Sequence, residues 1–188
     1  MEKIGIHKRE ILADRVEKAR DSQKEAKEQF QSALEEFKSV VEVEEGDLAK
    51  EYKKLKATLE KSEQRAEEVR ERIDAVEDVS VSLFAEWRAE IKRYNSDKLR
   101  RSSEKKYEMT RDKYEELIEA MKKAENRLEP VLVPLRDQVL YMKHNLNARA
   151  VEGLSAELEG VRADVDKLVE DMEKAIAEAD AFIKTLGE

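Results

Sequence analysis

From Leu48 to Tyr94 an apolar residue recurs every three or four positions for 47 residues, almost without slip. The series runs Leu48, Tyr52, Leu55, Leu59 and on through Val69, Ile73, Val76, Leu83, Trp87, Ile91 and Tyr94. Alternating steps of three and four form the seam of a bundled or coiled α-helix. A helix over 47–94 is about 70 Å long at 1.5 Å per residue. Such a rod cannot bury its stripe alone, so the rest of the chain must supply matching helices. Composition agrees: 44% of residues are charged, and there are five Gly, two Pro and no Cys. Many short strands would need far more turn residues. The missing Cys excludes disulfides, thiolate metal sites and Cys nucleophiles. No apolar run approaches the ~20 residues of a membrane-spanning helix.

A first stripe, Leu12, Val16, Ala19, Gln23, Ala26, Phe30, Ala33, Phe37, Val40, predicts a helix over 8–42. Gly46 can end it with positive φ, and Asp47 can cap the next helix. Tyr94-Asn95-Ser96-Asp97 is the clearest polar turn. Beyond it a third stripe runs Leu117, Met121, Ala124, Leu128, Val131, Leu135, Val139, Met142, Leu146. Three steps of four, through Ala150, Leu154 and Leu158, read as a stutter. Regular spacing then resumes to Leu186. Pro130 and Pro134 fall inside this stripe, which keeps its phase across them. That pattern predicts a kink rather than a reversal.

The expected fold is therefore all-α. It is a single elongated domain over 1–188, an antiparallel three-helix coiled-coil bundle with helices at 8–42, 47–94 and 97–186. Only about half of such a third helix can pack on the second. The remaining stripe, Leu146, Leu154, Leu158, Val161, Val165, Leu168 and Met172, needs a partner, for which a second copy is the economical choice. Asn145 and Asn147 beside that seam would fix its register. The alternative is a four-helix bundle in which the chain folds back near Asn145–Gly153.

Charge is unevenly spread. Residues 88–113 hold ten Lys/Arg and five acids, whereas 150–188 hold four bases and eleven acids. The basic section surrounds the Asn95-Ser96 turn. Lys92, Arg93, Lys98, Arg100, Arg101, Lys105 and Lys106 are the candidates for contact with an anionic membrane surface. A nucleic-acid partner is not expected, because the chain is acidic overall and lacks a recognition motif. His7 and His144 have no metal-ligand spacing, and no Glu-x-x-His pair of a di-iron bundle is present. No catalytic, metal or cofactor site is predicted, and an enzyme is not expected. Trp87 follows Leu83 by four residues and reads as core.

Four runs carry a family likeness. They are Met1-Glu-Lys-Ile-Gly-Ile-His-Lys-Arg-Glu-Ile-Leu, Arg72-Ile-Asp-Ala-Val-Glu-Asp-Val, Leu135-Arg-Asp-Gln-Val-Leu-Tyr-Met-Lys-His-Asn-Leu-Asn-Ala-Arg-Ala and Ala177-Glu-Ala-Asp-Ala-Phe-Ile. With them the whole chain resembles a domain-of-unknown-function family of helical envelope lipoproteins from Gram-negative bacteria. The resemblance implies a location and no activity. It implies a periplasmic protein held to a membrane by an N-terminal lipid. Members of that family start with a signal peptide and a lipid-acceptor Cys ahead of the Met-Glu-Lys run, so the native precursor of this chain would carry both. The expected function is a dimeric, membrane-associated scaffold that binds or shapes membrane. In outline it is similar to the BAR modules of eukaryotes, an analogy of architecture alone. The alternative is a coiled-coil adaptor or spacer that binds another envelope protein.

Overall fold

The computed structural model describes residues 2–42 and 47–188, with the side chains of 2–5, 148 and 150 left aside. Every regular element among them is an α-helix. These are α1 Glu2–Val41, α2 Leu48–Ile91, α3 Asp97–Glu125, α4 Leu128–His144 and α5 Ala148–Gly187. The stripes of α1 and α2 are core: Leu12, Val16, Phe30 and Val40 are buried, as are Leu55, Val69, Ile73 and Val76. Gly46 lies outside the described residues. Asp47 stands at the α2 N-cap, but its side chain makes no capping hydrogen bond. The expected Asp47 cap is thus corrected: its carboxylate stands at the α2 N-terminus, where it can favour the helix dipole without a capping bond.

The single helix expected over 97–186 is not observed. It is interrupted twice, and the two interruptions differ. At Asn126 and Arg127 the backbone stays right-handed, with φ/ψ of −65°/−15° and −82°/−12°. Pro130 is the cause: it has no N–H for the Asn126 carbonyl, and its ring crowds that carbonyl. Pro130 itself sits in the first turn of α4, where a missing N–H costs little. The buried seam passes Met121, Ala124, Leu128, Val131 and Leu135 in phase, so α3 and α4 form one bent limb. The second interruption reverses the chain. Asn145 leaves the helix with φ/ψ of −135°/65°, and α5 returns along the molecule.

Cross-helix pairs fix the arrangement. α1 and α2 run antiparallel, with Lys8 paired to Glu86 and Arg65 to Glu25. The α3–α4 limb climbs back along α2 through Lys122–Glu77 and Arg70–Glu129, both 2.8 Å. α5 descends against both α1 and the limb, through Arg20–Asp180 and Arg127–Asp171, both 2.9 Å. Each of α1 and the α3–α4 limb therefore touches α2 and α5. The stripe of α5 is buried inside the same chain: Leu154, Val161, Val165, Leu168 and Met172 are core, and Leu158 is half-buried. The fold-back near Asn145 is what the helix order shows. The uncovered overhang that argued for a second copy on this seam does not exist.

α5 is short at one end. Asp180 faces Arg20, and seven residues remain, so α5 stops near the level of about residue 13 of α1. Beyond that level only α1, α2 and α3 continue. Midway along the molecule the core narrows to small residues. Ala19, Ala26, Ala66, Ala175 and Ala179 are fully buried there, around Gln23, which is 0% exposed.

Candidate functional site

The three-helix end carries the basic turn. Locally it is built by hydrogen bonds the sequence makes available. The Arg93 amide donates to the Glu90 carbonyl at 2.9 Å, closing α2. Ser96 opens α3, its hydroxyl accepting from the Leu99 amide at 3.4 Å. Arg100 reaches back over the turn, donating to the Tyr94 carbonyl at 2.8 Å and pairing with Asp97 at 3.2 Å. Arg100 is therefore committed to holding the turn.

The other cations point outward. Lys92, Lys98, Arg101, Lys105 and Lys106 are exposed, and none has an ion-pair partner among the described residues. Arg93 is exposed and has a partner of its own. Beside these cations stand two exposed apolar groups, Tyr94 (39%) and Leu99 (56%).

Beneath the turn lies a separate aromatic cluster of Phe84, Trp87, Ile91 and Tyr107. The spacing that places Phe84, Trp87 and Ile91 on one face of α2 makes them meet Tyr107 of α3. Tyr107 sits edge-on to both Phe84 and Trp87, with centroids 5.8 and 5.5 Å apart. The Trp87 indole donates to the Ser103 hydroxyl at 3.1 Å. Arg9 of α1 lies over the Trp87 ring at 4.2 Å. Trp87 is core, as its spacing predicts, and the Arg9 contact was not legible in that spacing. The cluster ties α2, α3 and Arg9 of α1 together beneath the exposed cations.

A shallow groove between α2 and α3 adjoins the cluster, with Ser80, Phe84, Tyr107 and Tyr114 in its lining. Its polar groups are paired with one another. Ser80 bonds the Tyr114 hydroxyl at 2.7 Å, and Arg111 pairs with Glu115 at 3.1 Å. Burial raises the Tyr114 hydroxyl above its ordinary pKa. Among the described residues no group of three or more His, Asp and Glu could hold a metal ion. No described helix is long and apolar enough to cross a membrane.

The remaining candidates fall elsewhere. The seam residues Leu154 to Met172 face the chain's own helices, as above, and Leu146 is 42% exposed in the turn after α4. Asn145 and Asn147, expected to set register, build the reversal instead. The Asn145 side-chain amide donates to the Tyr141 carbonyl at 3.0 Å, and the Asn147 side-chain carbonyl accepts from the Arg149 backbone amide at 3.1 Å. The stutter read through Leu146 is this reversal.

No curated protein and no solved structure matches the chain. One family model does, over residues 1–186, nearly the full length of the bent helical array just described. The chain accordingly belongs to the family described as protein of unknown function (DUF2959).

Proposed function

We propose that the protein is a non-enzymatic, membrane-associated helical scaffold of the bacterial envelope, and that the basic turn between α2 and α3 meets anionic lipid head groups. The observation that carries this reading is the set of exposed, unpaired cations at one end of the rod, Lys92, Lys98, Arg101, Lys105 and Lys106, around exposed Tyr94 and Leu99. Each cation near an anionic surface is worth about 1 kcal/mol. Tyr and Leu at the same level suit the polar–apolar boundary of a bilayer.

Two features of the fold support the same orientation. α1 starts at this end, because Lys8 pairs with Glu86 near the end of α2. A lipid attached ahead of residue 1 would thus lie beside the basic turn, and both would engage one periplasm-facing leaflet. The acidic helix α5 packs on α1 and the α3–α4 limb, which places it diagonally across from α2. A membrane that meets the turn along α2 and α3 is spared the eleven acids of residues 150–188.

An adaptor that took its partner helix on the Leu154–Met172 seam is disfavoured, because those residues pack within the chain. A partner protein would have to bind a different surface.

Vesicle co-sedimentation tests the membrane reading. The protein should pellet with vesicles containing about 30% anionic lipid and stay soluble with neutral ones. Reversing Arg101, Lys105 and Lys106 to Glu should weaken binding at least about 100-fold, from three cations at about 1 kcal/mol each. Equal binding to neutral vesicles, or no loss in the triple variant, refutes it.

A further inference from the structure

At the other end of the rod, α4 is apolar on two faces. Its inner face, including Leu128, Val131, Leu135 and Met142, is core. Its outer face carries Val133 (49% exposed), Leu140 (64%) and Tyr141 (45%). At about 100° per residue these three lie within an arc of about 100°, and exposed Asp137 and His144 lie inside the same strip. Leu146 extends it into the turn. By contrast Val81 and Met109, also exposed, stand singly on α2 and α3, which is ordinary for a protein surface.

We propose that this strip is where a second copy of the chain docks, α4 antiparallel on α4, about a twofold axis between Leu140 and Tyr141. The charge pattern argues for a copy over any other occupant. Asp137 precedes Leu140 by three residues, and His144 follows Tyr141 by three. A twofold axis at that centre sets Asp137 against the partner subunit's His144, and Leu140 against the partner's Tyr141. The strip is therefore complementary to itself, as an isologous interface must be. An axis at Asp137 would instead oppose two carboxylates. An imidazole donates to a carboxylate in either of its protonation states, so the pairing does not require a charged His. Apolar residues at the centre and polar ones at the flanks also match the anatomy of protein interfaces.

The overlap of α4 on α4 runs over residues 137–144, about eight of each helix and well below the 20–30 a side of a standard interface. The pair is accordingly a weak one, formed at tens of micromolar and above. Its geometry has a further result. From Lys98 to the axis is about 42 residues of the α3–α4 limb, or about 63 Å. The two basic turns then stand at opposite ends, about 125 Å apart, joined by two limbs bent at Asn126–Arg127. The pairing needs no lipid, so it stands or fails separately from the membrane reading.

The chain has no Cys, so single cysteines report proximity without background. Under mild oxidation at about 50 μM, Leu140→Cys should form a covalent dimer, and Val81→Cys, exposed on α2, should not. In sedimentation equilibrium the mass of the wild-type protein should rise with concentration. Leu140→Glu should remain a monomer with unchanged helical circular dichroism. Asp137→Lys should weaken pairing about tenfold, since two symmetry-related pairs are lost. The double exchange Asp137→His with His144→Asp should restore it. Cross-linking no better at 140 than at 81 overturns the proposal, as does a wild-type mass that stays monomeric to about 1 mM. So does a Leu140→Glu variant that loses vesicle binding while its mass profile matches wild type, because the strip would then face lipid.

Discussion

Gln23 is fully buried, and neither its amide nitrogen nor its carbonyl oxygen has a hydrogen-bond partner among the described residues. A buried polar group left unsatisfied costs about 1–3 kcal/mol. Gln23→Leu keeps most of the volume and removes that cost, so it should raise stability by about 1–2 kcal/mol. The check is a higher urea midpoint with unchanged slope. The sequence placed Gln23 on the stripe, but periodicity reports position and not whether an amide finds a partner. Two carboxylates on the limb make opposite predictions with pH. Glu129 is held below the ordinary carboxylate pKa by its hydrogen bond from Arg136 and by Arg70. Its stabilisation is present above the unfolded value of about 4.3 and lost as pH falls through the lower folded value. Glu125 is pushed up by burial and then by Asp74. Its ionised form is therefore a cost at neutral pH, relieved as pH falls through the raised folded value. Glu129→Gln should lower the urea midpoint at pH 7, and Glu125→Gln should raise it. The Glu125→Gln gain should vanish below about pH 4, where this carboxyl is protonated in both states.

At the scale of elements, the bend between α3 and α4 is held to α5 by one strong contact. Arg127 donates to Asp171 at 2.9 Å, and the Asp171 side chain is only 6% exposed. Lys123, at 3.8 Å, is a weak second partner. Arg127→Ala leaves a buried carboxylate with that partner alone, so it should cost about 1.5–3 kcal/mol. Urea titration of this variant beside wild type measures it. The helices were legible where spacing alone decides, as along α1 and α2. The bend was legible too, because Pro130 can be assigned a missing donor and a crowded carbonyl. The reversal was harder to see. Leu146, Leu154 and Leu158 fall at helical intervals, so the stripe continues across a turn. The two asparagines inside it favour turns through local hydrogen bonds, and reading them as register residues let the apolar spacing outweigh that signal.

For the whole molecule, the burial of the α5 stripe within the chain decides what stability depends on. Leu168 is fully buried, so Leu168→Ala should cost about 2–5 kcal/mol. Its unfolding midpoint should not vary with protein concentration in the low micromolar range. A stripe that met a second copy would give a midpoint that rises with concentration. Periodicity announced that this stripe needed cover, but not which helix supplies it. The basic turn was legible as a cluster in the sequence. That Arg100 is spent on the Tyr94 carbonyl while Lys98 and Arg101 stay unpaired among the described residues required the folded turn.

The early end of α5 has a dynamic consequence. Where four limbs lie side by side each helix is covered by two neighbours, and past about residue 13 of α1 that fourth limb is gone. Backbone amides there depend on fewer buried contacts, so they belong to a unit that opens at lower free energy than the body of the rod. Hydrogen exchange should show protection stepping down across residues 6–12 and 97–108, before it falls in α4 or mid-α2. The section that carries the cations would then be the one able to loosen and refit against a surface while the rest of the protein stays folded.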